Sequence, residues 1–187
     1  AGRYCMDGID RGLVESISLA STTLPFADRS NAGIAKEALN LSDNVMTADR
    51  TGSLRAGTSS LMHALQNGAM ALCLAADRRK SKVASTEEMN YGDASAAVLA
   101  GSGEVIAKYL GGYSKTVDFV DHYRETGADF DYAWEARFVR DEGYQKILGS
   151  AIGAALDKLG ISAAAVDHAV ISVPVRGVPQ KLAAVAG

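Results

Sequence analysis

Cysteine, proline, histidine and aromatic residues are all scarce in this chain. Two cysteines among 187 residues, Cys5 and Cys73 in unrelated contexts, argue against a disulfide framework and against a cysteine-based metal site. No apolar run approaches the roughly 20 residues of a membrane span. Basic charge is not in excess either: 19 Lys and Arg stand against 22 Asp and Glu, interspersed, for a net charge of −3. That excludes the basic face a nucleic-acid partner requires. No signal-peptide pattern is present, so a soluble cytoplasmic protein is the expectation. With only 6% aromatic residues, a chain that is 48% hydrophobic must build its core from Ala, Val, Leu and Ile. Nineteen glycines and many alanines point to close packing of helices on a sheet. The length suits one domain over residues 1–187 and is enough to bury a substantial core.

Periodicity gives an alternating order of elements. Val14–Ala20 sets Ile17 and Leu19 against Ser16 and Ser18, a strand with one less buried side. Ser30 is placed to cap a helix over Asn31–Leu41 with Ile34, Ala38 and Leu41 on one side. Thr47–Asp49 reads as a short strand. Thr58 or Ser59 is placed to cap the next helix, which carries Leu61 and Leu65 and stops at Gly68. Ala69–Ala76 is a continuous apolar run, the mark of a central strand covered on both faces. Arg78–Asn90 reads as a surface excursion. Ala94–Ala100 and Glu104–Leu110, joined by Gly101-Ser102-Gly103, read as a hairpin. Residues 113–142 are aromatic and charged without clear periodicity. Tyr144–Leu159 carries the stripe Leu148, Ile152, Leu156 and Leu159, with Gly160 as its C-cap. Val166–Val173 reads as a last strand stopped by Pro174, and a helix starts near Pro179. The order predicts α/β layers with a mixed sheet and flanking helices.

The most telling stretch is residues 52–65, Gly-Ser-Leu-Arg-Ala-Gly-Thr-Ser-Ser-Leu-Met-His-Ala-Leu. A polar run turns into an apolar helix, which is how a nucleophile is presented at the positive end of a helix dipole. Leu54 stands where that nucleophile would sit, and leucine neither attacks nor titrates. The Arg55-Ala56-Gly57-Thr58 turn keeps backbone N–H groups suited to an anion.

These residues carry a resemblance. Ala20-Ser21-Thr22-Thr23-Leu24-Pro25-Phe26-Ala27, Ser53-Leu54-Arg55-Ala56-Gly57-Thr58, Tyr91-Gly92-Asp93-Ala94-Ser95-Ala96-Ala97-Val98, Arg137-Phe138 and Val170-Ile171-Ser172-Val173-Pro174 share order and spacing with one family. Over about residues 8–187 the chain resembles the thiolase superfamily, specifically 3-hydroxy-3-methylglutaryl-CoA synthase and its archaeal and bacterial relatives. The resemblance implies a thiolase-like layered fold, a coenzyme A thioester as substrate and no metal in this chain. It also implies an acyltransferase or lyase. In the family a cysteine takes the acyl group, a glutamate moves the proton and a histidine holds the second substrate's thioester oxygen. Here those positions hold Leu54, Thr22 and Ser172, a degenerate set. The coenzyme would meet Arg55, Gly57 and Thr58. Relatives begin with strand and helix material that Ala1–Asp7 does not supply and carry a further half. The chain is therefore expected to be the first half plus part of the second, incomplete at both ends, with Gly187 falling just after a helix begins.

The remaining residues are weighed against plainer roles. Cys73 reads as a small buried hydrophobe and Cys5 as incidental. His63 and His168 read as packing or structural histidines. His122, in Asp121-His122-Tyr123-Arg124, lies in the segment that in relatives lines the acyl-CoA site, and it joins Thr22 and Ser172 as a candidate catalytic residue. Arg78-Arg79-Lys80-Ser81-Lys82 reads as a solvated loop rather than a phosphate contact. Gly101-Ser102-Gly103 is not a phosphate loop.

Three roles compete. The first is a non-acylating subunit; some relatives assemble with a separate thiolase and a small zinc-ribbon/OB-fold protein. The second is an aldolase-like lyase acting on a CoA thioester without a covalent step, with His122 or Tyr123 moving the proton. The third is a structural dimer partner, pairing through Met46–Arg50 or Ala69–Ala76. A homodimer or hetero-oligomer, with no nucleic acid and no membrane, is expected.

Overall fold

The computed structural model of the chain describes residues 1–173 and 175–185. Pro174 and Gly187, both used in the sequence reading, lie outside the described residues. The chain divides into two compact units, Ala1–Arg79 with Gly92–Tyr109, and Lys80–Tyr91 with Leu110–Gly187.

The first unit is built on a four-stranded sheet. It comprises α1 (Gly2–Cys5), β1 (Ser16–Ala20), α2 (Asn31–Ala38), β2 (Met46–Arg50), α3 (Ala56–Asn67), β3 (Ala71–Asp77) and β4 (Ala94–Ala100). The strand order is β2-β1-β3-β4, with β1 parallel to both β2 and β3 and β4 antiparallel to β3. Ala20 pairs with Arg50 on one side and Ala75 on the other, so β1 and β2 end together and β3 runs on to Asp77. One face of the sheet is aliphatic. Ile17 and Leu72 pack there with Met6, Val14, Leu39, Leu41 and Val45. The other face is made of small side chains, where Ala71 and Cys73 lie under Ala64 of α3 beside Ala100. Small residues let a helix approach closely: a Cβ on Gly57 would reach Ala75 at 3.7 Å.

Several local expectations hold and several need correction. Ser30 caps α2, its Oγ accepting from Gly33 N at 2.9 Å. The helix stops at Ala38 rather than Leu41, and of the expected side Leu41 is buried in the core while Ile34 and Ala38 are exposed. Ala32 and Lys36 are buried in α2, followed by Leu39 at its C-cap. The reason is Asp49, whose carboxylate accepts from the N–H groups of Asn31 and Ala32 and so fixes the rotation of the helix. α3 starts at Ala56 rather than at a Thr58 or Ser59 cap, because the Ala56 N–H already bonds Ser53 O at 3.0 Å. Gly68 ends α3 in the left-handed region, at φ 70°. Glu104–Leu110 is not the second arm of a hairpin. Past Gly103 the segment leaves the sheet and runs to α3, where the Tyr109 hydroxyl reaches Met62 Sδ at 3.6 Å.

The second unit holds α4 (Thr86–Asn90), the pair β5 (His122–Tyr123) and β6 (Tyr132–Ala133), and a long helical rod. The rod opens as α5 (Ala136–Phe138), widens through a π-helical stretch at Val139–Leu148 and continues as α6 (Gly149–Leu159). The helix read over 144–159 therefore begins eight residues earlier, at 136 (144 − 136 = 8). Glu135 starts it, its carboxylate accepting from the Arg137 and Phe138 N–H groups at 2.8 and 2.7 Å. Gly160 closes it at φ 63°, as expected. α7 (Val178–Val185) follows. Val166–Val173 is not a strand: no described residue takes up its backbone groups in a ladder, and Val170 is 99% exposed. Among the described residues no helix is long and apolar enough to cross a membrane.

Candidate functional site

In open α/β sheets the crevice outside the carboxyl ends of the strands, where successive connections leave in opposite directions, is the place a ligand meets. In the first unit that point is β1. The chain leaves β1 through α2 to reach β2 on one side, then crosses through α3 to β3 on the other. The loop after β1 is Ser21-Thr22-Thr23, and the residue ending β3 is Asp77.

These two segments form one hydrogen-bonded cluster. Asp77 Oδ1 accepts from Ser21 Oγ at 3.0 Å, Thr22 N at 2.7 Å, Thr22 Oγ1 at 3.1 Å and Thr23 Oγ1 at 3.1 Å. Thr23 Oγ1 in turn accepts from Arg78 N at 2.9 Å. Thr22, expected at the proton-transfer position, thus has a carboxylate beside its hydroxyl. Sequence reasoning found no such partner. The available signal was an acid closing the apolar run Ala71–Ala76, a place where a charge survives only if it is paired.

The β2 loop places Leu54 with 53% of its surface exposed, at the turn that leads into α3. The Thr58 hydroxyl donates to Arg55 O at 3.1 Å, tying down the first turn of the helix. Gly57 lies against β3, so its lack of a side chain serves packing as well as access. The thiol of Cys73 is buried and donates to Ser60 O at 3.7 Å, a core placement as expected. Ser60 also shares a 2.5 Å hydrogen bond with Ser18. His63 pairs with Asn67 along α3 at 3.0 Å.

His122 and Ser172 belong to the second unit. His122 Nδ1 lies 2.8 Å from Asp121 Oδ1, which also accepts from the His122 backbone N–H at 2.7 Å. The other carboxylate oxygen accepts from the Tyr144 hydroxyl at 3.3 Å. Burial pushes Asp121 up, but the bonds and charge of His122, with the Tyr144 bond, outweigh it and hold the acid below its usual range. Burial first, then the Asp121 charge and bond, push Tyr144 up to about 12. Of the two ring nitrogens of His122, Nδ1 is the one that meets the carboxylate. Asp121 and Tyr144 were not singled out in the sequence. A second acid, Asp131, has a side chain that is 1% exposed and takes the Tyr91 hydroxyl at 2.8 Å, with Arg124 at 3.5 Å. Ser172 is exposed in a segment without regular structure.

No family model matches the chain. It is 26% identical to the hydroxymethylglutaryl-CoA synthase of Thermococcus gammatolerans, over 96% of this chain and 53% of that protein. To the enzyme of the same name from Methanosarcina acetivorans it is 27% identical, over 100% of this chain and 56% of that protein. The chain thus spans about half the length of the curated relatives it matches. Among solved structures, MvaS in complex with 3-hydroxy-3-methylglutaryl coenzyme A superposes with a TM-score of 0.79 at 16% identity. That match covers 100% of this chain and 49% of the other. The 3-oxoacyl-(acyl carrier protein) synthase III of Pseudomonas aeruginosa gives a TM-score of 0.77 at 17% identity, over 92% of this chain and 58% of the other. The fold is thiolase-like, and the sequence is similar to curated hydroxymethylglutaryl-CoA synthases.

Proposed function

We propose that this chain handles coenzyme A thioesters without a cysteine nucleophile, as a subunit of a complex that transfers acyl groups or makes or breaks carbon–carbon bonds. One observation carries the reading: in a sequence similar to hydroxymethylglutaryl-CoA synthases, the turn leading into α3 presents an exposed leucine, Leu54. A leucine cannot form a thioester. Thr22 carries no carboxylate of its own, and its hydroxyl donates to Asp77, whose Oδ1 is already shared among four donors. Ser172 has a hydroxyl that is a weak acid at neutral pH. Arg55, Gly57 and Thr58 would meet the anionic part of the coenzyme at the start of α3. A thiolase-type subunit with a zinc-ribbon/OB-fold protein, or a second copy of this chain joined through the β2 edge, would complete the assembly in the cytoplasm.

The experiment is intact-mass analysis after incubation with acetyl-CoA and with a longer acyl-CoA. No covalent acyl adduct is expected on any residue, and an adduct sinks the proposal. Leu54→Cys serves as the internal control, since alkylation of its thiol by iodoacetamide reports that the turn is open.

A second reading is favoured by the Asp121–His122 pair. Nε2 of His122 would take the hydroxyl proton of a 3-hydroxyacyl-CoA. The bond between C2 and C3 would then break to give a carbonyl and a thioester enolate, which is protonated to the acyl-CoA. This retro-aldol step needs a base but no covalent intermediate. Cleavage of a 3-hydroxyacyl-CoA should disappear in His122→Ala, and full activity in that variant refutes the assignment.

A further inference from the structure

Arg50, in the first unit, has a sealed donor that meets no acceptor among the described residues. Arg50 closes β2 and lines a cavity of about 250 Å³ that runs along the small-residue face of β1 and β2 beside α3. Its Nε is sealed from solvent and meets no acceptor. The residue as a whole is half-buried.

The reasons lie in the strand register. Successive side chains on a strand point to opposite faces. Asp49, the neighbouring acid, therefore faces α2, where its two oxygens are taken by Asn31 and Ala32. On the side of Arg50 the next positions are Ala48 along β2 and Ala20 across on β1. Ser18 and Ser60, which also line the cavity, are bonded to each other. Glu15 lines the far end, beside the Ser16↔Met46 pair, with one oxygen on Met70 N at 3.2 Å. Four strand steps separate that pair from the Ala20↔Arg50 pair, about 13 Å along the strand.

An arginine stays charged at any physiological pH, and its sealed Nε–H with no acceptor carries the desolvation cost of that one donor. Such groups are rare in folded proteins, and each calls for an account of what meets it. The cavity walls between Arg50 and Glu15 include Met46, Ala48, Ala64 and Ala71, so an apolar stem has a lining to match. We propose that this cavity binds a small aliphatic carboxylate, its head accepting from Arg50 and its chain lying along β1 toward Ala71. The volume sits just below the roughly 300 Å³ at which drug-sized ligand cavities begin, which favours a short chain. The proposal concerns a free acid and does not depend on the thioester reading.

The test is an amide NMR titration of the full chain with hexanoate, with hexanamide as the uncharged isostere. Saturable shifts at Ala48, Ser60 and Ala64 are expected with hexanoate, and hexanamide should bind at least tenfold more weakly. Arg50→Met keeps the side-chain stem and should lose at least tenfold in affinity, whereas Arg50→Lys should keep part of it. If Arg50→Met does not fold, the acid–amide comparison on the parent chain and Arg50→Lys decide. Absence of saturable shifts with hexanoate, equal binding of acid and amide, or undiminished binding in a folded Arg50→Met overturns the proposal.

Discussion

Removing the Asp77 carboxylate should unfasten the loop after β1 from the end of β3. Asp77→Ala takes the acceptor from four donors that share one oxygen. They do not count equally. The Thr22 and Thr23 hydroxyls are partly exposed and water replaces their acceptor at little cost, whereas Ser21 is 5% exposed and the Thr22 N–H is held at 2.7 Å. A bond to a charged group contributes about 1.5 kcal/mol or more, so losing the two sheltered ones costs about 3 kcal/mol. Asp77→Asn keeps an amide oxygen at the same place and loses only the charge. Charged hydrogen bonds are roughly twice as strong as neutral ones, so that variant should cost about 1.5 kcal/mol. Urea unfolding followed by far-UV circular dichroism measures both, and amide exchange at Thr22 should quicken in the same order. A loss below about 1 kcal/mol for Asp77→Ala, or equal losses for Ala and Asn, would show that the cluster is not held by the carboxylate.

Other outcomes follow from the same kind of reasoning. For Asp49, burial raises the pKa, but the bonds from Asn31 and the Ala32 N–H outweigh it, and Asp121 is likewise held low. Both contribute stability that is present above the ordinary carboxylate range and is lost as pH falls through their folded values; a stability profile flat down to pH ~2 would contradict this. Tyr144 moves the other way. Its folded value of about 12 lies above the ordinary 10.0, so its contribution is complete below pH 10 and is lost as pH rises toward 12. Absorbance titration should show one tyrosine ionising near 12, and Asp121→Asn should bring it down. Gly143→Ala puts a Cβ 2.6 Å from Phe119 Cε1 and should drive that ring from its stack on Phe138, where the centroids are 5.4 Å apart. Overpacking of this kind costs about 1–3 kcal/mol, against about 1 kcal/mol gained in helix propensity. A thermally stabilised Gly143→Ala would mean that Phe119 yields freely.

What the sequence displayed of the fold was its local chemistry. The Ser30 cap, the glycines at 68 and 160 and the apolar run of β3 each act within a few residues, and each appears where the pattern put it. Glu104–Leu110 and Val166–Val173 have strand-like composition too, but a strand exists only where a neighbour accepts its ladder, and pairing is a property of the whole sheet. The rotation of α2 was hidden for a similar reason: it is set by Asp49, a residue 18 positions from Asn31. The candidate site divides along the same line. Leu54 and the turn around it are contiguous and were legible. Asp77 meets Thr22 across 55 positions of sequence and was not. Tyr144 reaches Asp121 across 23, and no spacing rule announces that pair.

The exposure of Leu54 has an evolutionary reading. A side chain that touches little contributes little to folding, so its identity is free to change without loss of stability. At Gly57 a methyl would meet Ala75 at 3.7 Å, an ordinary contact, so a small side chain is tolerated there too. A change at Leu54 therefore leaves the shape of the turn and of α3 intact, so this position can be varied for what it binds without cost to the fold.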